Sequence, residues 1–143
     1  MREVTRSALL PYSATQVYDL VADVERYPEF LPWCTEAKVL TREGERVTAQ
    51  LALARGKVSA RFTTQNRLVP GEFLEMRLLE GPFRALEGRW DFRPIGEAGS
   101  RVELRMAFET QGSLAGILLG PVFEGICNQL VDAFAQRARW TYG

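Results

Sequence analysis

From Glu36 to Gln111 the chain alternates polar and apolar residues in strand-length runs, and no other feature narrows the possible folds as far. Val58, Ala60, Phe62 and Thr64 share one parity, while Ser59, Arg61, Thr63 and Gln65 share the other. Leu74, Met76 and Leu78 oppose Glu75 and Arg77. Leu86, Gly88, Trp90 and Phe92 oppose Glu87, Arg89, Asp91 and Arg93, and Val102, Leu104, Met106 and Phe108 oppose Arg101, Glu103, Arg105 and Glu109. Successive side chains on a strand point to opposite faces, so each run has a dry face and a wet one. Breaks at Arg42 to Arg46, Gly56, Pro70 to Glu72, Gly81-Pro82 and Glu97 to Ser100 divide the region into about six strands. The mixed charges of the wet face read as cross-strand pairs on a solvated surface.

A sheet with one wholly apolar face needs a cover, and the remaining long segment, from about Ser113 to Tyr142, must supply it as a helix. Leu118, Val122, Ile126, Leu130 and Phe134 recur at every fourth residue as an apolar stripe, with Pro121 expected to bend the helix or mark its true start. Before the sheet, Val4 to Leu10 reads as an opening strand stopped by Pro11. Ser13 stands at an N-cap position, and a helix from about Ala14 presents Val17, Leu20, Val21 and Val24. A short turn from Val24 to Tyr27 ends at Pro28. A strand, two short helices, about six more antiparallel strands and one long helix is the order of the helix-grip architecture, an α+β fold. Such a curved sheet under one helix is expected to leave an elongated apolar cavity between them.

The chain of 143 residues is read as one domain, residues 1–143. Lys and Arg total 18 and Asp and Glu total 18, so no net positive field draws the chain to DNA or RNA, and a nucleic-acid role would need a local patch. Cys34 and Cys127 lack the spacing of a zinc or redox pair and read as reduced thiols. Met1 to Leu10 carries Arg2, Glu3 and Arg6 and does not resemble a secretion signal. No apolar run is expected to reach the roughly 18 residues of a membrane span, the nearest being Leu114 to Val122 with its interruptions at Gly116, Gly120 and Pro121. The expected location is the cytoplasm, with peripheral contact at the inner membrane.

Histidine is absent, which removes the usual general base, the Ser-His and Cys-His pairs and the commonest metal ligand. No phosphate-cradling glycine motif occurs. Asp19, Asp23, Glu25 and Glu29 lack the spacing of a calcium loop and read as a solvated face, so no metal site and no catalytic residues are expected. Among the polar positions of the long helix, Glu124, Asn128, Gln129 and Asp132, one is a candidate to enter the cavity and bind a headgroup.

The segment Tyr27-Pro28-Glu29-Phe30-Leu31-Pro32-Trp33-Cys34 crowds aromatics and prolines into a connection that is normally polar. It reads either as a corner plugging one end of the sheet or as a cavity rim. With Val21 to Arg26 before it, this segment resembles the hallmark of the bacterial coenzyme Q-binding START-like family, which includes the ribosome association toxins. Gly81-Pro82-Phe83 with Leu86, Gly88, Trp90, Phe92 and Pro94 is similar to a second family signature. Pro121-Val122-Phe123 through Val131-Asp132-Ala133-Phe134 is similar to its closing helix.

The resemblance implies a ligand rather than a resident cofactor: ubiquinone or another isoprenoid quinone, carried in support of respiration. An isoprenoid tail suits the dry sheet face, where each buried methylene contributes about 0.8 kcal/mol. The expected lining is Phe62, Met76, Leu78, Trp90, Met106, Val122, Ile126 and Leu130. Phe30 and Trp33 are expected to form a gate that touches the membrane surface during loading. The resemblance also implies an alternative, binding to the large ribosomal subunit with inhibition of translation. Arg61, Arg67, Arg89 and Arg105 would then be the phosphate contacts. An enzyme acting on a polyketide is a third class, for which no acid-base pair is evident.

Overall fold

The computed structural model describes residues 1–143. Strand β1 (Arg2–Leu10) leads into helix α1 (Ala14–Ala22) and a short 3-10 helix (Val24–Glu29). Six strands follow: β2 (Cys34–Glu43), β3 (Arg46–Arg55), β4 (Val58–Val69), β5 (Phe73–Glu80), β6 (Phe83–Ile95) and β7 (Gly99–Thr110). Helix α2 (Leu114–Tyr142) closes the chain. All strand pairs are antiparallel, in the order β1-β7-β6-β5-β4-β3-β2. The architecture is the α+β helix-grip fold expected from the alternation.

Local chemistry accounts for the boundaries. Ser13 Oγ accepts from Gln16 N at 3.1 Å while Gln16 Oε1 accepts from Ser13 N at 2.9 Å, a reciprocal capping box that starts α1. Ser113 Oγ accepts from Gly116 N at 3.2 Å and starts α2, so Pro121 lies inside the helix rather than at its beginning. Run on as one element of 29 residues, α2 is long and apolar enough for a membrane crossing by length and composition. This corrects the expectation that its glycines and Pro121 interrupt it. The apolar side of the helix is instead packed against β1, β4 and β7.

The expected helix stripe needs a second correction. Ile126, Leu130 and Phe134 are buried, but Val122 is half-buried and Leu118 is exposed. Steps of four residues drift about 40° around a helix of 3.6 residues per turn, so a row counted back from Ile126 rotates off the sheet. The face that is buried runs Gly116, Leu119, Gly120, Phe123, Ile126, Cys127, Leu130, Val131, Phe134 and Ala138 in steps of three and four. The outer sheet face carries exposed ion pairs, among them Glu75–Arg89 at 3.3 Å and Glu103–Arg105 at 2.8 Å.

Candidate functional site: a cavity between two aromatic clusters

Register places Val47, Asn66, Met76, Gly88, Met106 and Val4 opposite one another on β3, β4, β5, β6, β7 and β1, one row running across the dry face. Above this row the interior is filled at both ends by aromatics. At one end Phe62, Phe83, Phe108 and Phe123 meet edge to face, with ring centroids 4.8 Å apart for Phe108–Phe123 and 4.9 Å for Phe83–Phe123. At the other end Phe134 holds Phe30, Trp90 and Tyr27 at 5.2, 5.3 and 5.4 Å. Such tilted pairs are preferred by aromatic quadrupoles.

Between the clusters lies a cavity of about 60 Å³. Aromatic groups occupy both ends of the space, and the cavity left open is small. Seven of the ten expected binding residues line it: Trp33, Phe62, Met76, Trp90, Met106, Ile126 and Leu130. Phe30, Leu78 and Val122 do not. Phe30 is clamped between Phe134 and the Arg137 guanidinium, which lies 4.8 Å above its ring. Leu78 is half-buried toward the end of β5, where the pairing with β4 shifts register. Val122 is turned aside by the helical drift described above.

Met76 and Met106, which line the cavity, lie over Gly88. A Cβ there would stand 2.6 Å from Met106 Sδ and 2.8 Å from Met76 Cε, so two flexible thioether side chains fill the space a larger residue would take. Trp33 is half-buried and also part of the lining, which makes it the aromatic at the rim. Its neighbours Leu31 and Cys34 are buried, and the Tyr27 hydroxyl donates to the Val21 carbonyl. The aromatic loop is thus both a sealing corner and, at Trp33, a rim.

Polar groups are few. Burial and then the Glu124 charge push the Cys127 thiol up to about 12, and burial pushes Cys34 up to about 11, so both are neutral thiols near pH 7. Burial likewise raises Tyr27. Thr64 and Asn66 are the remaining polar side chains of the lining, and Thr64 Oγ1 donates to Asn66 Oδ1 at 2.8 Å. None of the four polar helix positions enters the cavity. Glu124 pairs with Arg2 at 3.4 Å, Asn128 Oδ1 accepts from Arg6 at 2.9 Å, and Gln129 and Asp132 are exposed. The polar contact comes from the sheet, and the parity of Asn66 with Phe62, Thr64 and Leu68 on β4 was the signal for it.

On the outer sheet face, Arg46, Arg67, Arg77, Arg89 and Arg105 line a depression of about 900 Å³ with Glu3, Glu75 and Glu87. Three of the four expected phosphate contacts therefore share one surface. Arg61 lies apart, paired with Glu36 at 3.0 Å.

Residues 10–135 match the family described as polyketide cyclase/dehydrase and lipid transport. A relative named ribosome association toxin RatA, from Pseudomonas aeruginosa, is 49% identical over 140 residues, covering 98% of this chain and 97% of that one. A mitochondrial coenzyme Q-binding protein COQ10 homolog B from Xenopus laevis is 31% identical over 146 residues, covering 99% of this chain and 59% of that one. The crystal structure of a Streptomyces aromatase/cyclase superposes with a TM-score of 0.85 at 19% identity, covering 96% of this chain and 93% of that one, and shares the fold. With the helix-grip architecture and this match over most of its length, the chain belongs to the polyketide cyclase/dehydrase and lipid-transport family.

Proposed function

We propose that this protein binds an isoprenoid quinone, ubiquinone in the first place, between the sheet and α2 and carries it to and from the membrane surface. The observation that carries this reading is a lining in which Thr64 and Asn66 alone interrupt a wall of aromatic and aliphatic side chains, Tyr27 and Cys127 apart. The coenzyme Q-binding name of the Xenopus relative supports the quinone. The cavity of about 60 Å³ is smaller than the roughly 300–1,000 Å³ of sites that enclose drug-sized ligands, so a ring enters only as Met76 and Met106 repack over Gly88. The tail leads out past Trp33. A lining without carboxylate, amine or imidazole supports binding rather than catalysis. Organic extracts of the purified protein, analysed by mass spectrometry, test the reading. A quinone is expected, and extracts free of quinone, from a protein that also fails to take up added ubiquinone, would overturn it.

A second reading is favoured by the name of the Pseudomonas relative and by the clustered arginines of the outer face: association with the large ribosomal subunit. The two readings use opposite faces of one sheet.

A further inference from the structure

We infer that Asn66, held by Thr64, is the hydrogen-bond donor that fixes the carbonyl end of the ligand. Asn66 is 4% exposed and Thr64 6%, in the middle of an apolar wall. The Thr64 hydroxyl fixes the amide by donating to its Oδ1, which leaves Nδ2 as the free end. That nitrogen donates to no group in the chain, yet it is not sealed off, because the one fully enclosed side-chain polar atom without a partner is Ser100 Oγ. Burying an amide donor without an acceptor is costly. A folded chain that keeps Asn66 at this point therefore gains by offering the donor to something that enters.

The position is suited to a ring. Asn66 pairs across the sheet with Met76, and Met76 with Gly88, so the donor stands beside the two thioethers that must move to make room. A ligand with a carbonyl at the end of an apolar body satisfies Nδ2 while its body replaces the methionines against the aromatics. A hydrocarbon of the same size leaves the donor unpaired. Asn66 thus selects apolar carbonyl compounds over plain lipids.

This inference rests on the carrier reading, and two probes separate the failure of one from the failure of the other. Decylubiquinone carries the acceptor and diphenylhexatriene carries none. Titration followed by tryptophan fluorescence for the first, and by probe emission for the second, is expected to show wild-type binding of both. Asn66→Leu, which preserves the branching of the side chain, should weaken decylubiquinone about tenfold and leave diphenylhexatriene unchanged, with a lower melting temperature because the Thr64 hydroxyl loses its acceptor. In the wild-type complex the infrared stretch of one quinone carbonyl should shift to lower frequency, so the donor is read even if the variant fails to fold. Unchanged decylubiquinone affinity in a folded Asn66→Leu, or an unshifted carbonyl in the wild-type complex, would overturn the inference and leave the carrier standing. A wild-type protein that binds neither probe would overturn both.

Discussion

Met106 Sδ lies 2.6 Å from the point where a Cβ on Gly88 would stand. The glycine keeps the middle of the sheet open, and the methionine, helped by Met76, fills the opening with a side chain that can leave it. Gly88→Ala should therefore displace both thioethers into the cavity. Overpacking is partly offset by the lower unfolded-state entropy of alanine, so the expected loss of stability is small, about 1 kcal/mol. Decylubiquinone affinity should fall well beyond that stability change. Urea unfolding alongside a quinone titration checks this, and undiminished affinity would show that the methionine floor does not open for the ligand.

Trp33 and Phe30, neighbours in one aromatic loop, have different surroundings and should behave differently. Phe30 packs on Phe134 and Tyr27 beneath Arg137, whereas Trp33 borders the cavity. Phe30→Ala is expected to lower stability by about 2 kcal/mol with quinone transfer from liposomes unchanged per folded molecule. Trp33→Ala is expected to slow transfer several-fold at a smaller cost in stability. Slowed transfer in the Phe30 variant alone would place the entrance elsewhere.

The two cysteines give a pH dependence with a definite sign. Burial raises Cys34 to about 11 and Cys127 to about 12, from an ordinary value of 9.0. Above pH 9 the unfolded chain ionises both thiols while the folded chain holds them neutral, so the unfolded state binds fewer protons and stability falls with rising pH. The contribution is fully present below pH 9 and is lost up to about pH 12. Denaturant melts between pH 8 and 11 should show the decline, and Cys127→Ala should flatten part of it. An equally steep decline in a Cys34→Ala, Cys127→Ala double variant would assign the effect to other groups. Native protein at pH 8 should also resist thiol-labelling reagents until it is unfolded.

The fold was legible because alternation survives compositional noise: Trp90, Met106 and Phe62 all keep the buried side that their parity assigns, although register shifts interrupt the pairing at Thr63 and Phe83. The lining residues on β4, β6 and β7 followed from that parity. Helix residues followed less well, since a four-residue count misplaced Val122 and Leu118 through accumulated rotation. Phe30 was misplaced because a loop has no period to read, and its partner Arg137 lies 107 residues away on α2. The polar contact was sought on the helix, where carboxylates and amides are numerous, whereas Arg2 and Arg6 on β1 engage two of them.

The ribosome reading predicts its own separation from quinone binding. Arg46 and Arg77 line the outer depression without an ion-pair partner, whereas Arg67, Arg89 and Arg105 are each paired to a carboxylate. Arg46→Glu with Arg77→Glu should abolish cosedimentation with large ribosomal subunits at low salt and leave decylubiquinone affinity unchanged. Moderate salt should weaken the wild-type interaction steeply, as phosphate contacts require. Absence of cosedimentation at any salt would remove this reading.

The central claim is that a quinone sits between α2 and the dry face of the sheet, and photolabelling tests it most directly. A ubiquinone analogue bearing a photoreactive azide on its ring, irradiated in complex with the protein and mapped by peptide mass spectrometry, is predicted to attach to Met76, Trp90, Met106 or Ile126, with competition by unlabelled ubiquinone. Labels confined to exposed apolar positions such as Leu114, Ile117 or Trp140, undiminished by competitor, would contradict it.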